Sequence, residues 1–252
     1  MTTGNTTQQL HMVRLHLPAD RLFALGHARH LSVAEADLGY LTHCMLGELF
    51  GDEAPKPFHL ESGAGRAVTV LGYSAQPANI LLARASSYGR ERGTVLAPPD
   101  IASKPLPAFF TAGQVLSFKV RICPVVRMSS SGPKNRKGAE VDAFLRRCRQ
   151  VADPSQPVDR EDVYRQWLQG EVQRQGGCRL LVSRMSAFGI EKMTRRTQGE
   201  KRVARGMQRP DATFEGLLEV TDGERFLALL SRGLGRHRAF GFGMLLLKRP
   251  EA

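Results

Sequence analysis

Cysteine is scarce and scattered in this chain: Cys44, Cys123, Cys148 and Cys178 are its 4 representatives in 252 residues. They form no C-x-x-C pair and sit near no histidine pair, which excludes a zinc pattern and a disulfide framework, and neither metal nor other cofactor is expected. Long apolar runs are missing too. No stretch approaches the roughly 20 residues that a spanning helix needs, and no basic amphipathic helix carries an aromatic face, so a membrane partner is disfavoured. The segment Met1 to Leu10 is uncharged and rich in Thr and Gln. It lacks the basic and apolar regions of a signal peptide, and a cytoplasmic location is expected. Acidic residues are few beside the basic ones, 24 Asp and Glu against 36 Lys and Arg, for a formal charge of +12. That surplus points to a polyanion, and nucleic acid fits better than a lipid surface.

The length suffices for one large or two small domains, and two are expected, residues 1–107 and 108–252. In the first, Val13, Leu15 and Leu17 alternate with Arg14 and His16 and predict a strand over Met12 to Leu17. Ser32-Val-Ala-Glu35 has the form of a capping box, and Leu38, Leu41, Met45 and Leu49 recur at helical spacing, which predicts a helix from Val33 to Phe50. Strand pairing over Phe58 to Tyr73 with a hairpin near Ser62 to Gly65, a helix over Pro77 to Tyr88 and a proline-rich linker from Ala97 to Pro107 complete this half. Gln114 to Met128 reads as strand that closes one unit and opens the next, followed by a polar, basic loop from Ser129 to Lys137. Ala139 to Gln150 and Asp159 to Gln175 read as helices, and residues 139–175 together as a helical insertion. Cys178 to Ile190 and Ala212 to Val220 read as strands; a Thr221-x-x-Glu224 box opens the last helix, and Met244 to Leu247 is the final strand. Each half is close to βαββαβ, so the expected class is α+β with two tandem ferredoxin-like, or RRM-like, domains. No RNP-type aromatic pattern is present, and base stacking on a sheet face is therefore not expected.

The closing segment Gly233-Leu-Gly-Arg-His-Arg-Ala-Phe-Gly-Phe-Gly243 is the most informative stretch. Gly233 and Gly235 open it, Gly241 and Gly243 close it, and glycine lets a main chain take left-handed torsions and approach a ligand closely. Arg236, His237 and Arg238 between them suit phosphate oxygens, with Phe240 and Phe242 alternating into the strand that follows. A dinucleotide fold fits poorly, since Arg238 stands where a third glycine belongs and too little chain remains after Gly243 for a crossover helix and a second strand. Part of the segment has a plainer explanation: Gly233 follows Phe226, Leu229 and Leu230 and suits a helix C-cap.

Residues 192–209 carry Lys192, Arg195, Arg196, Lys201, Arg202, Arg205 and Arg209 against Glu200, with Gly199 and Gly206 as turn residues. Either this is a solvated hairpin tip or a finger that follows a nucleic-acid backbone. On the first helix, Tyr40 and His43 fall opposite the stripe of Leu38, Leu41, Met45 and Leu49, and Ala36, Gly39 and Gly47 leave room around them. A histidine with a neighbouring phenol can move the protons of metal-free RNA cleavage, in which a 2′-hydroxyl attacks the adjacent phosphate. An exposed, functionless helix face is the alternative.

Taken together, Tyr40-x-x-His43, the basic hairpin and the glycine-rich segment preceded by Phe214-Glu-Gly-Leu-Leu-Glu-Val resemble the CRISPR repeat-RNA endoribonucleases, in particular their CasE branch. The resemblance implies tandem ferredoxin-like domains, recognition of the repeat stem-loop in the precursor RNA, and one cut at its 3′ base that leaves a 2′,3′-cyclic phosphate. It also implies retention on the mature guide RNA beside the other effector-complex subunits. Carried onto this chain, Tyr40 and His43 are the catalytic pair, while Arg195, Arg196, Lys201, Arg202, Arg205 and the glycine-rich segment hold RNA. Two features depart from the family pattern, the long helical stretch from Ala139 to Gln175 and the extra Arg and His between Pro18 and Leu31. Both admit a divergent branch such as the type IV paralogue, in which arginines take over the chemistry. A non-catalytic RNA-binding subunit with the same clamp is the rival reading, and a ribosome-associated RNA-binding protein a weaker one.

Overall fold

The structure is a computed structural model that describes residues 9–28, 37–61, 67–92, 100–131, 136–151, 153, 155–196 and 204–250, with backbone alone for 87–92, 195–196 and 204–205. Its first unit runs β1 (His11–Pro18), α1 (Ala19–Ala28), α2 (Leu38–Phe50), β2 (Phe58–Glu61), β3 (Ala67–Ser74), α3 (Ala78–Arg92) and β4 (Ile101–Pro105). The strands form an antiparallel sheet in the order β2-β3-β1-β4. The second unit runs β5 (Val115–Ile122), β6 (Val125–Arg127), β7 (Glu140–Asp142), α4 (Ala143–Cys148), α5 (Arg160–Gln175), β8 (Cys178–Arg196), β9 (Ala204–Val220), α6 (Gly223–Arg232) and β10 (Leu245–Lys248). Its main sheet is ordered β10-β5-β9-β8, the same permutation as the first, so both units are ferredoxin-like.

Strand alternation explains how the two units share a core. In β1 the side chains of Val13, Leu15 and Leu17 are buried on one face, where Leu22 of α1, Leu41, Met45, Leu46 and Leu49 of α2 and Leu81 of α3 cover them. The other face presents Met12, Leu71 and Tyr73, and these pack into the core of the second unit with Phe226, Leu230 and Leu245. Tyr73 donates its hydroxyl to the Leu245 carbonyl at 2.6 Å, satisfying a polar group that burial would otherwise orphan. In the first unit, the sheet face that an RNA recognition module uses for base stacking is thus spent on joining the units.

Several boundaries differ from the sequence expectation for identifiable reasons. The expected linker from Ala97 to Pro107 contains β4, the fourth strand of the first sheet; β4 pairs only with β1, and an edge strand tolerates Pro105. It follows that β5 opens the second unit without closing the first. The expected helix over Ala139 to Gln150 begins as β7, paired with β6, before α4 starts at Ala143. Within 139–175, α5 takes the place of the first helix in the βαββαβ pattern of the second unit, burying Tyr164, Leu168 and Val172, while β6, β7 and α4 are additions to that pattern. Between β1 and α2 lies a short helix that the sequence pattern did not resolve, α1, with only Leu22 and Gly26 buried. The last helix is capped by Asp222, whose carboxylate accepts from Arg225 N at 3.0 Å, and not by Thr221. The proposed capping box at Ser32 to Glu35 and the turn near Ser62 to Gly65 lie outside the described residues. Among the described residues no helix is long and apolar enough to cross a membrane, and no group of three or more His, Cys, Asp or Glu is arranged to hold a metal.

His59 in β2 makes the junction between units sensitive to acid. Burial, then the positive charges of Arg121 and Lys119, lower its pKa to about 4 from 6.5, so the folded state holds this ring neutral. The unfolded chain therefore binds more protons between those values: the stabilisation is complete above pH ~6.5 and is lost as the pH falls towards ~4. A His59→Gln protein should show a flatter fall of the urea midpoint between pH 6.5 and 4 than the parent. Identical pH dependence in the two proteins would remove His59 from the account.

Candidate active site and nucleic-acid interface

Helix α2 begins where Asp37, in extended conformation, turns its carboxylate onto the Gly39 amide at 2.8 Å and its carbonyl onto the Leu41 amide at 2.9 Å. Leu41, Met45 and Leu49 are buried as expected, joined by Leu46 and Phe50, while Leu38 is exposed. His43 lies exposed on the opposite side. Tyr40 does not stay with it: only 7% exposed, it belongs to the core of the first unit. The covering element comes from the other unit. The Phe240 ring stacks on Tyr40 with centroids 6.4 Å apart and interplanar angle 11°, and lies 5.3 Å from His43. At Gly39 a Cβ would come within 2.6 Å of the Phe240 carbonyl oxygen, so the room that this glycine provides is filled by the chain's own loop. Gly47 faces open space, and Ala36 lies outside the described residues.

The glycine-rich segment folds as a closed loop. Leu234 N donates to Gly243 O at 2.8 Å and Gly243 N donates to Arg121 O at 2.7 Å, so both ends are held against β5. Gly233 caps α6, its amide reaching Leu229 O, as the plainer reading held. Gly235 adopts φ 68°, and a Cβ there would stand 2.6 Å from the Trp167 ring, so the face of Gly235 expected to meet a ligand meets α5. His237 alone among the described non-glycine residues has positive φ, 60°. Phe240 ends a short 3-10 turn (Arg238–Phe240) and Phe242 is buried, so neither alternates into β10 as expected.

The cations of the loop have partners inside the protein. Glu140 of β7, almost enclosed, accepts from Arg236 Nε, from His237 Nε2 at 3.0 Å and from the Arg209 guanidinium at 3.2 Å. The His237 hydrogen bond foremost, with its charge and Arg236, pulls the Glu140 carboxyl down to about 2 against the cost of burial. Arg238 donates to the Arg232 carbonyl at 2.6 Å. Beneath the loop, Arg121 makes a two-pronged pair with Asp211 at 2.9 and 2.7 Å, reaches Glu191 at 3.3 Å, and places its guanidinium 4.3 Å from the Phe242 ring centroid. Burial opposes its charge, but Asp211 and Glu191 hold it firmly protonated.

The basic connection is a continuation of the sheet. β8 and β9 remain paired from Cys178↔Val220 out to Arg196↔Ala204, with Arg195 opposite Arg205. Gly206 lies within β9 and not at the turn; Gly199, Lys201 and Arg202 lie outside the described residues, as do the side chains of Arg195, Arg196 and Arg205. Lys192 is exposed on the ribbon, whereas Arg209 is spent on Glu140. At the ribbon's root Met193 and Thr194 are buried, and the Thr194 amide donates to the second Asp37 carboxylate oxygen at 3.0 Å. The structure therefore brings His43, Tyr40, the glycine-rich loop and the ribbon root together. Arg121, Glu140 and Asp37 were missed from sequence. Asp37 alone left a signal, an Asp directly before the helical run.

Two ferredoxin-like units in tandem, the open sheet face of the first packed against α6 and β10 of the second, with a glycine-rich loop closing over α2, define the class of fold. Within it, the chain belongs to the family described as CRISPR associated protein, whose profile matches residues 10–249. The CRISPR-associated endoribonuclease Cse3 of Thermus thermophilus is 28% identical over 148 residues, which is 56% of this chain and 59% of that protein's length. The chain thus spans somewhat under two thirds of that relative in the matched region. A structure of CRISPR endoribonuclease Cse3 bound to a 19-nucleotide RNA superposes with a TM-score of 0.63 at 24% identity, covering 96% of this chain and 100% of that one. The Cas6e protein of Escherichia coli K-12 superposes with a TM-score of 0.52 at 18% identity over 96% and 100% of the two chains.

Because Gly235 combines a left-handed torsion with contact to Trp167, Gly235→Ala should lower stability by about 1–3 kcal/mol, the usual cost of backbone strain, measured by denaturant unfolding. An unchanged midpoint with weakened RNA binding would show that the loop opens its Gly235 face to ligand.

Proposed function

We propose that this chain is an endoribonuclease that cuts the repeat stem-loop of a CRISPR precursor RNA without a metal and remains on the guide RNA as a subunit of the effector complex, in the cytoplasm. The observation that carries the reading is the meeting of α2, which bears His43, with Phe240 of the glycine-rich loop and, through its cap Asp37, with the root of the basic ribbon. Similarity to Cse3, an endoribonuclease by name, supports the reaction class, and the likeness to a Cse3 structure holding RNA supports the ligand.

In this reading the ribbon lies along the stem, with Arg195, Arg196, Lys201, Arg202 and Arg205 contributing phosphate contacts. The substrate 2′-oxygen attacks the adjacent phosphorus, the bond to the 5′-oxygen breaks, and the product carries a 2′,3′-cyclic phosphate. The attacking hydroxyl must lose a proton and the leaving 5′-oxygen must gain one. In this reading His43, exposed on α2, moves a proton, and cations of the ribbon and loop offset charge on the phosphoryl oxygens. Tyr40 backs this face from within the core, so its ring orients more than it reacts. In the loop, Gly233, Gly235, Gly241 and Gly243 shape the main chain, and Arg236, His237 and Arg238, already bonded within the protein, present a fixed basic rim to RNA.

His43→Ala should leave stem-loop affinity near that of the parent while slowing single-turnover cleavage about 10²- to 10⁴-fold, the usual loss for a general acid or base. Tyr40→Phe should cost less, and EDTA should change neither protein. Retained binding without cleavage by the parent would favour a non-catalytic RNA-binding subunit, and full activity of His43→Ala would move the chemistry to another group.

The ribbon gives an independent test. Replacing Arg195 and Arg196 by Ala should reduce the slope of log affinity against log salt by roughly 1 to 2 units, if each neutralises one phosphate. An unchanged slope would place the ribbon away from the RNA.

A further inference from the structure

We propose that Asp37 is a positioning residue that couples seating of RNA on the basic ribbon to the placement of His43. The inference rests on the endoribonuclease reading and adds to it a residue that touches neither substrate nor reacting atoms. Asp37 is 9% exposed, and its two carboxylate oxygens serve different parts of the molecule. One caps α2 through the Gly39 amide at 2.8 Å; the other accepts from the Thr194 amide of β8 at 3.0 Å. Thr194 is itself buried and directly precedes Arg195 and Arg196, so the strut meets the ribbon at the point where its protein-packed root gives way to its basic arm.

The surroundings make this strut stiff. The ribbon is paired without a break from Ile190↔Pro210 to Arg196↔Ala204, so a displacement of its arm is felt at Thr194. On the helix side, the Phe240 carbonyl closes on Gly39 from the loop, so the first turn of α2 cannot move towards the loop. Charged groups that feel Asp37 are Arg121 of β5 and Glu191 of β8, and Arg121 is also paired with Asp211 of β9. His43 stands less than two turns along α2 from its cap, within the same rigid element. A tilt imposed at the cap is therefore carried to the imidazole, and proton transfer is sensitive to errors of that size.

The test separates capping from coupling. Asp37→Ser keeps a good N-cap but has one short oxygen, which cannot also reach Thr194. Asp37→Ala removes both bonds. Asp37→Ser should lose less stability than Asp37→Ala, since it orphans only the Thr194 amide, and should keep the parent's stem-loop affinity yet cleave about 10- to 100-fold more slowly at saturating RNA, the scale of a small misplacement of a catalytic group. A second readout is the imidazole NMR signal of His43 on addition of a stem RNA truncated short of the scissile phosphate. In the parent the signal should shift, and in Asp37→Ser the shift should vanish although the stem still binds. Cleavage by Asp37→Ser at the parental rate, or an undiminished shift, would overturn the coupling. Absence of cleavage by the parent would instead sink the endoribonuclease reading, and the NMR arm would still decide the coupling.

Discussion

A single buried guanidinium organises the region where the two units meet. Arg121 projects from β5 into a site where Asp211 and Glu191 of the ribbon strands neutralise it and the Phe242 ring lies against its face, while its own carbonyl holds the Gly243 amide. Loss of one partner from such a pair leaves an uncompensated charge, at a cost on the order of 3–5 kcal/mol. Ribbon, loop and β5 are thereby tied at one point. The first unit is drawn in through its neighbours: His59 is kept neutral beside Arg121, and Asp37 reaches over to Thr194.

From this tie follows a division of labour within the glycine-rich loop. Its glycines serve backbone geometry against Trp167 and Leu234, and its cations are anchored on Glu140 and on the end of α6. What the loop delivers is Phe240, set over Tyr40 and beside His43. A loop whose cations are already bonded within the protein keeps a fixed shape, and preorganised donors lose less on binding any ligand than mobile ones. The hydrophobic cluster of Cys123, Val125, Met193 and Phe242 at the ribbon root adds an apolar counterpart to the same junction.

Family membership and fold likeness agree with this arrangement but do not reach to individual side chains. The chain shares its tandem architecture with Cse3 and Cas6e structures at low identity, and the added β6, β7 and α4 sit inside the second unit. That addition supplies Glu140, the anchor of the loop. A segment that looked like an embellishment of the fold thus carries part of the site's framework.

Local patterns in the sequence were enough for the ferredoxin-like class and for all but the closing strand of the first unit, for the exposed place of His43, the cap at Gly233 and the hairpin course of the basic ribbon, because period, turn residues and charge density act over a few neighbouring residues. The α1 helix, β4 and β7 escaped, being short elements whose identity comes from the strand or helix they meet. Tyr40 was assigned to an open face because helical periodicity fixes direction around an axis and says nothing about what arrives there; in the structure Phe240, two hundred residues further along, covers it. The same holds for Asp37 with Thr194, Glu140 with His237 and Arg121 with Asp211, each a pair distant in sequence. The sequence by itself determined the elements and the surplus of positive charge. Tertiary structure decided which of those charges are consumed inside the protein and which stay at its surface, since burial and partnership exist only once distant segments are packed together.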